Sequence, residues 1–80
     1  MHEVGVAECL IARAVAAADA HGLRRVASVG VSVGAHCGVV PHALAFAFSV
    51  LRDGTPLEGA RLDVAPVPGD ALRLEWIEGE

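Results

Sequence analysis

The sequence predicts an α/β fold of the α+β kind: a two-layer sandwich with two helices packed on one face of a small mixed sheet of three or four strands. Apolar residues recur at helical spacing in two segments and alternate with other residues in three more. The order along the chain is a short extended start, helix, strand, helix, strand, strand. Because a helix joins the first two strands, these should be parallel with a right-handed crossover, and the last two antiparallel.

The length and composition indicate one domain over residues 1–80. Of the 80 residues, 54% are hydrophobic and 20% charged, which excludes a disordered chain. No apolar run is long enough to cross a membrane, and the start of the chain lacks the basic flank of a signal peptide, so we expect a cytoplasmic protein. The net charge of −4 and the scattered arginines argue against binding to nucleic acid or an anionic membrane.

The first helix is expected over residues 5–21, with Glu8 and Asp19 on its polar side. His21 lies in its last turn, and Gly22 takes the left-handed position that ends a helix. The predicted apolar stripe consists of Val6, Ala7, Leu10, Ile11, Ala14 and Ala18.

The first strand is expected over residues 25–33, with one face buried and the other small or polar. The buried face comprises Ala27, Val29, Val31 and Val33, and the other comprises Ser28, Gly30 and Ser32. A loop bounded by glycines follows over residues 34–38. The second helix is expected over residues 40–53, with Pro41 in its first turn and Gly54 after its end. Its apolar stripe comprises Leu44, Phe48 and Leu51, widened by Phe46 and Val50.

The last part of the chain predicts a β-hairpin with strands over residues 61–66 and 72–76. The link between them contains Pro68-Gly69, which suits a type II turn, although a tight two-residue loop does not give the register that aligns the apolar faces. That register pairs Arg61 with Glu75 and Asp63 with Arg73. The apolar positions are Leu62, Val64, Pro66, Leu72, Leu74 and Trp76.

Catalytic patterns are weak in this sequence. His36 and Cys37 form the one neighbouring base and nucleophile pair, and adjacent loop residues usually point apart, so we do not expect an enzyme. Cys9 and Cys37 form no CxxC pair and are expected to be semi-buried apolar residues without a disulfide. His21 and His42 are expected at helix ends without a chemical role.

His2 stands beside the α-amine of Met1, where a chelate forms without any folding. The amine nitrogen, the backbone nitrogens of His2 and Glu3, and the His2 imidazole can converge on one metal ion. Four nitrogens in a plane suit Ni(II) or Cu(II), whereas Zn(II) prefers a tetrahedron.

The chain as a whole resembles the HypA/HybF family of hydrogenase nickel-incorporation proteins. Residues 33–41 are similar to the family's "IGxxSxVxP" segment, residues 43–48 to its "ALxFAF" helix, and residues 54–60 to its "GTxxEGA" turn. The other matches are Met1-His2-Glu3, His21-Gly22, Arg24-Arg25-Val26 and the closing strand from Leu72 to Glu80.

The resemblance implies a nickel metallochaperone that delivers Ni(II) to the large subunit of [NiFe]-hydrogenase together with the GTPase HypB. It places the nickel on Met1, His2 and Glu3, with the amine from Met1, the imidazole from His2 and mainly a backbone nitrogen from Glu3. The alternative is a metal-free interaction module that docks HypB or a hydrogenase subunit. In either case we expect a monomer or a weak homodimer.

The sequence departs from the family in one large respect. Family members carry a zinc domain with two CxxC motifs between the last two strands, and here only a short link stands at about residues 67–71. We expect the two flanking strands to be neighbours in the sheet, so that a short turn closes this gap. We therefore expect no zinc. The family has other residues at His36 and Cys37, so the resemblance gives this pair no role.

Overall fold

The structure is a computed structural model that describes the backbone of residues 2–80 and the side chains of residues 3–80. Its elements are α1 (His2–Ala20), β1 (Val26–Gly34), α2 (Pro41–Leu51), β2 (Arg61–Val67) and β3 (Leu72–Gly79). The strand order is β2-β1-β3, with β1 parallel to β2 and antiparallel to β3. The predicted two helices and mixed three-stranded sheet are confirmed. The extended start is wrong, because α1 begins at His2.

The predicted hairpin is also wrong, because β2 and β3 lie on opposite edges of β1 and do not pair with each other. The link between them crosses the end of β1, a distance of about 10 Å that four residues can span. The backbone of the crossed segment binds the link: Gly34 N–H donates to the Ala71 carbonyl at 2.8 Å, and His36 N–H donates to the Gly69 carbonyl at 2.8 Å. A Cβ on Gly34 would lie 2.6 Å from the Gly69 oxygen, so this crossing requires a residue without a side chain.

The predicted cross-strand ion pairs do not form in this arrangement. Arg61 instead binds Asp63, two positions along the same face of β2, with nitrogen–oxygen distances of 2.8 and 3.1 Å. This contact lowers the pKa of the Asp63 carboxyl, chiefly through the hydrogen bond from Arg61.

The core lies between the helices and one face of the sheet, as the helical patterns predict. The stripe of α1 is buried except for the half-buried Val6, and Leu44 and Phe48 anchor α2. Phe46 and Val50, predicted to widen that stripe, are exposed instead. The buried apolar residues are Ala7, Leu10, Ile11, Ala14, Ala18, Val26, Val29, Val31, Val33, Leu44, Ala47, Phe48, Leu57 and Ala60.

The other face of β1 is buried too, although no helix covers it. Ser28 and Ser32 donate hydrogen bonds to the carboxylates of Glu78 and Glu75 on β3, at 3.2 and 2.7 Å. Between them the indole of Trp76 lies against Gly30, where a Cβ would come within 2.1 Å of the ring. The strand predicted to be half-buried is therefore buried along its whole length except at Ala27.

Two irregularities in the pairing of β1 with β3 explain why Ala27 and Trp76 are exposed although alternation predicts that they are buried. One lies between Val26 and Ser28, and it leaves Ala27 exposed where alternation predicts burial. The other lies between Gly30 and Val31, and it moves Trp76 to the outer face while Ile77 packs on the core. An extra residue in one strand inverts the alternation beyond it, which strict periodicity does not anticipate.

The two phenylalanines of α2 give a matched test of this packing. Phe48 is 1% exposed and Phe46 is 70% exposed. Phe48→Ala should lower the free energy of unfolding by about 3–5 kcal/mol, because it leaves a cavity in the core. Phe46→Ala should change it by no more than about 0.5 kcal/mol. Urea denaturation of both variants checks this, and equal losses would contradict the placement of α2.

Candidate metal centre

The residues predicted to hold metal stand at the start of α1. Met1 lies outside the described residues, and His2 is the first residue of the helix. Glu3 follows in the first turn. The first four N–H groups of a helix have no acceptor within it, so the backbone nitrogens of His2 and Glu3 are not committed to intrahelical hydrogen bonds. The backbone donors predicted for a chelate are thus grouped at one helix end.

The Glu3 carboxylate joins the start of α1 to the start of α2. Val40 N–H donates to its Oε2 at 3.0 Å. Val40 is the N-cap residue of α2 and has no side chain that can cap the helix. The carboxylate thus lies near the positive ends of both helix dipoles, where a negative charge is favoured. Sequence reasoning assigned Glu3 mainly a backbone role and missed this contact, because nothing in the pattern links positions 3 and 40.

An apolar groove of about 340 Å³ lies beside this contact, between the two helices. Glu3 supplies its one charged side chain, and Val4, Phe46 and Val50 supply its exposed apolar walls. Of the candidate metal ligands, Glu3 therefore borders an apolar surface that is exposed to water.

Among the described side chains of residues 3–80, the other candidate residues do not assemble into a larger site. His21, His36 and His42 are exposed. Cys37 packs against the core while the neighbouring His36 faces solvent, so the pair diverges as predicted. In the described part of the chain, no group of three or more His, Cys, Asp and Glu side chains could hold a metal ion.

The structure also brings together two residues that the sequence kept apart. Cys9 on α1 and Cys37 after β1 line the same groove, together with Arg13. No sequence signal pointed to this pairing, because it arises only when α1 packs beside the end of β1.

Among the described residues, no helix combines the length and the hydropathy that a membrane span needs.

Comparison with known proteins gives a consistent match. The family model described as "Hydrogenase/urease nickel incorporation, metallochaperone, hypA" matches residues 1–72. The hydrogenase maturation factor HypA of Deinococcus radiodurans is 46% identical over 69 residues, which cover 86% of this chain and 58% of that protein. HypA of Chloroflexus aurantiacus is 41% identical over 68 residues, which cover 85% of this chain and 60% of that protein. For these relatives, the chain spans about three-fifths of their length.

A solved structure supports the fold. The solution structure of the Ni metallochaperone HypA from Helicobacter pylori superposes with a TM-score of 0.85 and covers 96% of each chain. Its sequence is 16% identical, so the likeness concerns the fold alone. The family match ends at residue 72, where β3 begins, and the link before it contains no cysteine.

The contact between Glu3 and Val40 can be tested directly. Glu3→Ala should speed hydrogen exchange of the Val40 amide and lower the free energy of unfolding by about 1 kcal/mol, because the N–H loses its acceptor. Glu3→Gln keeps an acceptor oxygen and should retain most of the protection. Exchange is measured by NMR, with the exposed Glu8→Ala on the same helix as control. Unchanged exchange at Val40 in Glu3→Ala would refute the contact.

Proposed function

Because the chain belongs to the HypA family of nickel-incorporation metallochaperones, we propose that it carries Ni(II) at its N-terminus for the maturation of [NiFe]-hydrogenase. The observation that carries the proposal is the family match, which starts at residue 1 and so includes the predicted donors. Those donors are the Met1 amine, the backbone nitrogens of His2 and Glu3, and the His2 imidazole. The role is capture and release of a metal ion, without catalysis.

The start of α1 supports such a site on electrostatic grounds. The N-terminal end of a helix carries a partial positive charge, which repels a bare cation. Coordination by two backbone nitrogens removes two protons, and the two negative charges left on nitrogen offset the two charges of Ni(II). The same helix dipole stabilises these negative nitrogens. No helical hydrogen bond is broken, since the first-turn N–H groups have no acceptor within the helix.

The anchoring of Glu3 supports the proposal on geometric grounds. Its hydrogen bond from Val40 N–H joins the first turn of α1 to the start of α2 at a position next to the predicted donors. The site is at the end of an element rather than in a cleft, which favours handing the ion to another protein. The proposed recipients are a HypB-type GTPase and the hydrogenase large subunit.

The proposal concerns a single nickel domain, with no zinc domain between about residues 67 and 71. The link that crosses the end of β1 is short and hydrogen-bonded to residues 34–36, so the sheet closes without an inserted domain. Operation in the cytoplasm, and as a monomer or weak homodimer, stays a prediction.

A second candidate function is a metal-free interaction module that docks HypB or a hydrogenase subunit. The exposed apolar walls of the groove favour it, because Phe46 is 70% exposed and Val50 is 54% exposed. Apolar patches of this kind commonly mark interaction surfaces. In this reading the docking surface is used, and His2 is not required.

Nickel titration of the untagged chain distinguishes the two functions. The first predicts one Ni(II) per chain with the absorption of planar nickel, and loss of binding in His2→Ala. A tag fused ahead of Met1 should abolish binding as well, because it moves the free α-amine away from His2. Affinity should fall in acid, since amine, imidazole and backbone nitrogens must all lose protons to bind.

Exposed histidines elsewhere provide the matched controls. His42→Ala should bind nickel as the unmodified chain does, because His42 lies on the surface of α2. Binding that survives His2→Ala would refute the N-terminal site. If neither the unmodified chain nor His2→Ala binds nickel but both capture HypB equally, the chain is an interaction module.

A further inference from the structure

The groove between α1 and β3 contains both cysteines of the chain. It has a volume of about 620 Å³, and Cys9, Arg13 and Cys37 supply its reactive and charged groups. Cys9 is exposed on α1, and Cys37 is half-buried on the loop after β1. Two thiols on separate elements thus face one shared space.

The rest of the groove is apolar. Leu10 and Val39 form its wall on the side of the helix and loop, and Leu72 and Leu74 form the wall on β3. Leu10 is 3% exposed, and the other three are half-buried against the same core cluster. Such a lining favours soft, weakly hydrated ions over ions that keep a shell of water.

The number of ligands selects the ion. Zn(II) in a structural site takes four protein ligands, and the groove offers two thiols. Over residues 3–80 no third His, Cys, Asp or Glu joins any pair to complete a larger set. Thiolates select Cu(I) among the common metal ions, and this d10 ion is satisfied by two sulfur ligands in a line.

We propose that Cys9 and Cys37 form a two-thiolate site for a soft monovalent d10 ion, Cu(I), in the groove between α1 and β3. Binding exchanges two protons for the ion: two thiols and Cu⁺ give a bis-thiolate complex of charge −1 and two H⁺, with no change of oxidation state. Arg13 lines the same groove, and its positive charge offsets this negative charge.

This site is independent of the proposed nickel site in its donors and in its chemistry. The N-terminal donors are nitrogens suited to planar Ni(II), whereas the groove offers sulfur to a linear ion. The chain would then hold two ions of different hardness at positions about two turns apart along α1.

The test is an anaerobic titration of the reduced full chain with Cu(I), using the coloured chelator bicinchoninate as competitor. All proteins carry His2→Ala, so that the N-terminal imidazole does not contribute. We expect one Cu(I) per chain, with binding lost to the chelator in both Cys9→Ser and Cys37→Ser. Arg13→Gln should keep the stoichiometry and weaken binding by about 10-fold. His36→Ala, next to Cys37 and exposed, should bind as the parent does.

Two outcomes would overturn the proposal. The first is that either single serine variant holds Cu(I) with the parent's affinity, which would show that the two thiols do not act together. Alternatively, one copper per two chains, with a dimer on gel filtration, would show a bridging ion rather than a site within one chain. Serine differs from cysteine by one atom, and circular dichroism of each variant verifies that the fold is kept. Neither outcome bears on nickel binding, which is measured separately.

Discussion

The burial of β1 on both faces and its pairing along both edges constrain every other element. The helices cover one face, where Val29 and Val31 are almost fully buried. On the other face, Trp76 lies over Gly30, and carboxylates from β3 accept hydrogen bonds from the two strand serines. Because β1 takes β2 and β3 as its two neighbours, the link between those strands has to cross its end, and this crossing positions the loop that follows β1.

That loop connects the fold with both proposed sites. It supplies Cys37 to the groove beside β3, and it ends at Val40, whose N–H donates to Glu3 at the start of α1. Positions 3 and 40, distant in the sequence, are therefore joined by a hydrogen bond in addition to the packing of their helices on the core. A domain of 80 residues buries only a small core, so polar contacts of this kind matter for where the start of α1 lies.

The two sites differ in what the tertiary structure contributes. The N-terminal donors are consecutive in the chain, so their chelate depends on local chemistry, and the fold adds the helix end and the anchoring of Glu3. The groove between α1 and β3 cannot be recognised from neighbouring residues in the sequence. Cys9 and Cys37 line it only because α1 packs beside β3. A nitrogen site suits a borderline ion that must be released, and a sulfur site in an apolar groove suits a softer one.

The sequence by itself determined the two helices, the three strands, the apolar stripe of α1 and the family to which the chain belongs. These follow from local periodicity, from glycines such as Gly22 with its positive φ, and from motifs read in order. Only the tertiary structure decided which strand lies in the middle, since the hairpin that the sequence predicted would have paired Arg61 with Glu75. It also decided the inverted position of Trp76, the anchor of Glu3 and the meeting of the two cysteines. Each of these depends on pairing between distant segments or on a one-residue irregularity, and neither leaves a periodic signal in the chain.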